Sequence, residues 1–208
     1  MNYYIDFDST LYETSRLSKD MLEALASELC KVANKSEEDM FAELKAMFNR
    51  ENIYNIYKLA RFFAEKYNVD AKYLVNVVEN VIDDGEKYVY PDSVEFLKQV
   101  KEKGNIVNVL TYVAQEDLSY QMSKLKGSGL TEYFDNIIIT SSRKFNLDLK
   151  YEEGIFFDDN PKDLIGLAER NPKTLVRLRR ADNKYSAKEI ELDNIIECKT
   201  FNDYKFDN

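Results

Sequence analysis

Three short apolar runs constrain this chain most, because each ends in a polar or acidic residue. Tyr3-Tyr4-Ile5 is followed by Asp6 and Asp8, with Thr10 two residues on. Ile106-Val107-Asn108-Val109-Leu110 ends in Thr111. Gly154-Ile155-Phe156-Phe157 ends in Asp158 and Asp159, and Asp163 follows one helical turn later. Such runs read as buried strands. Further runs at 136–140 and 174–178, with helical stretches between them, make strands and helices alternate. That alternation implies a parallel sheet covered on both faces. Ligands of such sheets bind beyond the carboxyl ends of the strands, so the acids are expected in one mouth. They repel one another there unless a cation or a proton intervenes.

Residues 12–88 have a different pattern. Met21, Leu22, Leu25, Leu29 and Val32 fall on one helical face. Ser36 and Asp39 resemble an N-terminal capping box ahead of Met40, Phe41, Leu44, Met47 and Phe48. Ile53, Ile56, Tyr57, Ala60, Phe63, Ala64 and Tyr67 form a third stripe. Asp70 is placed to cap a fourth, with Leu74, Val77, Val78 and Val81. Four amphipathic helices with short links suggest a small bundle inserted after the first strand. Pro91 suits the first turn of the next helix, and Gly104 its end. A last strand is expected at 194–198.

Composition narrows the chemistry. Among 208 residues there is no histidine, which removes a Ser-His-Asp triad and any His-ligated zinc. A metal site would have to be rich in oxygen ligands, which suits Mg²⁺. The net charge of −9 argues against general nucleic-acid binding. No apolar stretch approaches a membrane span. A first strand near Asn2 leaves no room for a signal peptide, so a cytoplasmic location is expected. Cys30 and Cys198 are far apart and are expected to be reduced.

The order of these features resembles the haloacid dehalogenase (HAD) superfamily. A strand ending in Asp6 and Asp8, a strand ending in Thr111, a following lysine and a strand ending in Asp158 and Asp159 match its four motifs. The match covers residues 1–11 and about 89–180. The resemblance implies a Rossmann-like, doubly wound α/β core from 1–11 and 89–208, with 12–88 as an inserted four-helix cap of type 1. It implies Asp6 as nucleophile and Asp8 as general acid and base, with the Asp8 backbone carbonyl also near the metal. Asp159, four residues before Asp163, is the implied metal ligand beside Asp6, with Asp158 and Asp163 orienting water around the metal. Thr111 would hydrogen-bond a phosphoryl oxygen.

For the phosphate-orienting cation, Lys144 is preferred because it stands just after the 136–140 strand; Lys150 and Arg143 are the alternatives. Arg177, Arg179 and Arg180 are either a second phosphate site or a solvated strand end. Tyr54, Tyr57 and Tyr67 either stack on a substrate or fill the helical core. The implied activity is Mg²⁺-dependent hydrolysis of a small phosphorylated metabolite through an aspartyl-phosphate. The alternatives are a phosphotransferase or phosphomutase, or a phospho-ligand-binding protein without turnover. An acid at position 8 favours phosphate chemistry, since the dehalogenating branch lacks it.

Overall fold

The computed structural model of the chain describes residues 1–50 and 55–206. They divide into two compact units. One comprises Met1–Ser15, Tyr88–Leu118 and Gly129–Asn208, the other Arg16–Lys87 and Ser119–Ser128.

The first unit carries six strands: β1 (Asn2–Ile5), β2 (Ile106–Tyr112), β3 (Asn136–Thr140), β4 (Gly154–Asp158), β5 (Thr174–Leu178) and β6 (Ile195–Cys198). They pair in parallel in the order β3-β2-β1-β4-β5-β6. The order reverses between β1 and β4, and it is outside the carboxyl ends at such a switch point that ligand crevices form. Ile5 lies opposite Val109 on one side and Phe157 on the other, so β1 and β4 end nearly level while β2 runs on to Tyr112.

Continuous apolar runs follow from burial on both faces. On one face Tyr4 stacks on Phe156 at 4.6 Å, in a cluster with Leu110, Tyr151 and Leu175. Helix α7 (Pro161–Ala168) adds Leu164 and Leu167 to it. On the other face Tyr3 and Phe157 meet Phe96 of helix α5 (Ser93–Glu102), and Phe201 and Tyr204 of the C-terminal segment. Side chains alternate along a strand. Asp6 therefore follows Tyr4 in direction, and Asp158 follows Phe156, toward the α7 side.

The second unit is built from α1 (Thr14–Ala33), α2 (Glu37–Arg50), α3 (Ile56–Tyr67), α4 (Ala71–Asp83) and α6 (Leu118–Gly127), the ends of α1 and α6 belonging to the first unit. Met21, Leu22, Leu25 and Leu29 are buried as the stripe predicts, but Val32 is 56% exposed because it stands in the last turn of α1. Ser36 Oγ accepts from the Asp39 amide at 3.1 Å, and Asp70 caps α4 through the Lys72 amide at 2.9 Å. Ile53 and Tyr54 lie outside the described residues. Pro91 sits in the turn before α5, which begins two residues later behind Asp92. Among the described residues, no helix is long and apolar enough to cross a membrane.

Candidate active site

The switch point gathers the acids. The Asp6 amide extends the β1–β4 ladder by donating to the Phe157 carbonyl at 2.9 Å. Asp158 ends β4, so the two carboxylates emerge from neighbouring strands on the same face. Lys144 Nζ lies between them, 2.5 Å from Asp6 Oδ1 and 2.6 Å from Asp158 Oδ2. Asp158 Oδ1 accepts from the Asn160 amide at 2.8 Å. Among the described residues, Asp6, Asp158 and Asp159 form a buried group whose ligating oxygens all lie within 4.8 Å of one another.

Local packing explains how Lys144 reaches this point. It opens a single helical turn, Lys144–Asn146, after β3. Tyr151 Oη donates to the Lys144 and Leu147 carbonyls at 2.9 and 2.8 Å. Arg170 Nε donates to the Phe145 carbonyl at 2.7 Å. Gly166 of α7 leaves room for the Phe145 ring, since an added Cβ would meet that ring at 2.1 Å. The lysine is thus seated on α7 by the residue beside it.

Three buried carboxylates face one buried ammonium. Burial pushes the Asp6 carboxyl well above the ordinary range; Lys144 opposes this, while Asp158, Asp159 and Asp8 add to it. Burial, then Asp158, pushes Asp159 up to about 7. At Lys144 burial favours the neutral amine, but Asp158 and Asp6 outweigh it and hold the ammonium above the usual lysine value. Burial and Asp158 also raise Asp163. Perturbation of this kind marks functional sites. Clustered oxygen donors short of positive charge fit a hard divalent cation such as Mg²⁺.

The remaining predicted residues are distributed as follows. Asp8 is outside the three-carboxylate group; its Oδ1 accepts from Thr14 Oγ1 at 2.7 Å. Thr111 is buried near the end of β2, one residue beyond the level of Asp6. Asp163 is buried in the first turn of α7; Oδ2 meets Arg143 at 3.4 Å and, among the described residues, Oδ1 has no hydrogen-bond partner. Of the three candidate cations, Lys144 alone contacts Asp6 in this way: Arg143 lies over the Tyr112 ring and against Asp163. Lys150 is exposed beside Glu153.

Of the three arginines, Arg177 and Arg180 are buried while Arg179 stays partly exposed, and all three are engaged by carboxylates. Arg177 is fully buried against Glu197, Arg179 pairs with Glu189 and Glu197, and Arg180 pairs with Asp92. Tyr57 is buried with its ring edge-on to Tyr120, and Tyr67 bonds Glu43. Both belong to the helical unit's own packing.

Sequence reasoning missed three partners. Thr14 holds Asp8, Arg180 donates to the Thr10 carbonyl, and Asn183 Nδ2 donates to Asp159 Oδ2 at 2.5 Å. Thr14 was within reach of local reading, six residues from Asp8. Asn183 stands 24 residues from Asp159 in a segment with no periodic pattern, and nothing local signals it.

A model of the haloacid dehalogenase-like hydrolase family matches residues 3–169. No curated protein matches the chain. Among solved structures, a HAD phosphatase from Thermococcus onnurineus aligns with a TM-score of 0.64 at 20% identity, over 97% of this chain and 94% of that one. A haloacid dehalogenase-like hydrolase from Burkholderia xenovorans LB400 gives 0.72 at 15%, over 97% and 93%. The HAD-type hydrolase YfnB from Bacillus subtilis, bound to magnesium, gives 0.55 at 14%, over 97% and 95%. Likeness at such identities establishes the shared fold.

Proposed function

Because the chain belongs to the haloacid dehalogenase-like hydrolase family, we propose that it is a Mg²⁺-dependent phosphatase of a small phosphomonoester, working through an aspartyl-phosphate at Asp6. The observation that carries this is the pairing of a buried Asp6 with Lys144 at the switch point, two residues before a second acid held by Thr14. An acid at that position favours phosphate chemistry over dehalogenation. The likeness to a Thermococcus phosphatase and to a magnesium-bound hydrolase supports the same reading.

In this reading the Asp6 carboxylate attacks phosphorus, and its new P–O bond forms as the bond to the leaving alcohol breaks. Asp8 gives its proton to the leaving oxygen. It then takes a proton from water as that water attacks phosphorus, breaks the bond to Asp6 and releases phosphate. Lys144 holds Asp6 in place and balances charge on the phosphoryl oxygens, one of which Thr111 bonds. Asp6, Asp159 and the Asp8 carbonyl would hold the cation, with Asp158 and Asp163 around them. Mg²⁺, when bound, supplies neutralisation of the phosphoryl charge. The helical segment 12–88 would select among soluble cytoplasmic substrates; deleting it should flatten preferences across a panel of phosphorylated metabolites.

The test contrasts Asp6→Asn with Asp8→Asn in single turnovers. Asp6→Asn should form no phosphoenzyme with any substrate. Asp8→Asn should keep more of its phosphorylation rate with an aryl phosphate, whose leaving group departs as an anion, than with an alkyl phosphate. Phosphoenzyme in the Asp6 variant would remove the nucleophile assignment, and equal losses with both substrates would remove the general acid.

A further inference from the structure

The geometry points to Asn183 as a positioning residue for Asp159, so that cation affinity at the site depends on the strap that follows β5. The inference rests on the proposed role of Asp159 as a metal ligand.

Asn183 is 5% exposed. Its Nδ2 donates to Asp159 Oδ2 at 2.5 Å, and its Oδ1 accepts from the Tyr185 amide at 2.8 Å. This pair of contacts fixes which way the amide faces. A flipped amide would set oxygen against the carboxylate and NH₂ against a backbone N–H, losing both bonds. The Asp159 carboxylate is therefore held by a donor that carries no charge. A lysine or arginine there would orient it equally well but compete with a metal for its charge. A neutral amide orients the carboxylate and leaves that charge for a cation.

The strap, residues 179–194, is held by the arginines at and just before its start. Arg177 Nη2 donates to the Tyr185 and Lys188 carbonyls, while Nη1 pairs with Glu197 at 2.9 Å. Arg179 Nε donates to the Ser186 carbonyl at 2.9 Å. Arg180 donates to the Thr10 carbonyl at 3.2 and 3.1 Å and pairs with Asp92 at 2.9 Å. Burying a guanidinium as fully as Arg177 is costly unless its hydrogen bonds are largely met. Here they fix the backbone at Tyr185 and at Lys188 beyond it, and the Tyr185 amide in turn orients Asn183. At its start the strap also grips the loop carrying Asp6 and Asp8. One segment thus ties together the two loops that bear the candidate ligands.

The experiment is an Mn²⁺ titration followed by electron paramagnetic resonance, on the full chain and on Asn183→Ala. Wild type should bind Mn²⁺. The variant should bind about 10–100-fold more weakly, the usual effect of removing a partner of a metal ligand. Its melting temperature in chelator should change little, and excess Mg²⁺ should restore turnover of an aryl phosphate. Equal Mn²⁺ affinity in the two proteins, with only the metal-free melting temperature lowered, would make Asn183 a turn residue and overturn the inference. Failure of wild type to bind Mn²⁺ would instead overturn the metal-dependent reading on which it rests. If the variant does not fold, the wild-type side-chain amide of Asn183 decides by nitrogen-15 NMR. Its signal should move as Mg²⁺ is added, and an unmoved signal while backbone signals at Asp159 shift would overturn the inference.

Discussion

Among the described residues, one lysine–carboxylate knot in each compact unit can be compared, with closely similar distances. In the helical unit Glu43 receives Lys35 at 2.6 Å, Lys66 at 2.5 Å and the Tyr67 hydroxyl at 3.1 Å. In the sheet unit Lys144 meets Asp6 at 2.5 Å and Asp158 at 2.6 Å. Their electrostatics are opposite. Burial tends to raise the Glu43 carboxyl, but its three donors outweigh this and bring it down to about 2. Asp6 is pushed up by burial that its lysine does not offset. The ratio of charges and the access of water account for the difference, and distance does not. Glu43 is one carboxylate among two ammoniums near solvent. Lys144 is one ammonium among three buried carboxylates, an imbalance that a bound cation would relieve.

Removing the lysine from the buried knot should have the largest effect. Lys144→Met keeps most of the side-chain volume and leaves Asp6 and Asp158 facing each other without a cation. Breaking a buried ion pair from one side costs about 3–5 kcal/mol, so urea denaturation in chelator should show a loss of that size. Phosphatase turnover should fall with it, and the same change at exposed Lys150 should alter neither. A Lys144→Met variant as stable as wild type would show that the buried imbalance is not costly.

The two knots should also respond to pH with opposite sign in the metal-free protein. Asp159 has a folded value of about 7, above its ordinary 3.8. Between these values the folded state binds more protons than the unfolded one, so this group makes stability fall as pH rises toward about 7 and level off beyond. Glu43, at about 2 against an ordinary 4.5, contributes stability present above 4.5 and lost as pH falls toward about 2. Denaturation in chelator from pH 4 to 8 should follow the first slope, and Asp159→Asn should flatten it. A curve that Asp159→Asn leaves unchanged would contradict the imbalance.

A smaller loss is expected from Gly166→Ala. The new methyl would have to displace the Phe145 ring, and overpacking of this kind costs about 1–3 kcal/mol. Phe145 adjoins Lys144, so turnover should drop further than stability alone explains. Adding Phe145→Leu should recover part of both. An additive double variant would mean that the ring does not set the lysine's position.

The same contrast between regions explains what the sequence revealed. Apolar runs ending in Asp6, Thr111 and Asp158 announce buried parallel strands because alternation and burial are local consequences of the chain. Lys144 could be placed because it follows β3 by a few residues. What escaped depends on the sheet being assembled. Arg180 reaches Thr10 across 170 residues, and Asn183 reaches Asp159 only once β5 lies beside β4. The arginines at and just after the end of β5 read as a phosphate site or a solvated end because charge alone does not say what will cover it; at Arg177 the covering is the strap itself. Val32 continued the helical stripe correctly and is exposed because the helix ends there.

The smallest effect is expected at the exposed knot. Glu43→Gln keeps the shape and removes the charge shared by Lys35 and Lys66. Both lysine side chains are about two-fifths exposed, at 41% and 44%, so water can solvate them once the carboxylate is gone. Exposed pairs of this kind contribute little, and salt screens them. The melting temperature at neutral pH should therefore fall by no more than a few degrees in dilute buffer, and by less in about 1 M salt. The acid limb of the stability curve is the sharper readout. Wild type should lose stability between about pH 4.5 and 2 as Glu43 takes up its proton, and the variant, having no proton to take up there, should lose less. A loss at neutral pH as large as that of Lys144→Met would show that distance governs both knots, and the distinction drawn from burial and charge ratio would fall.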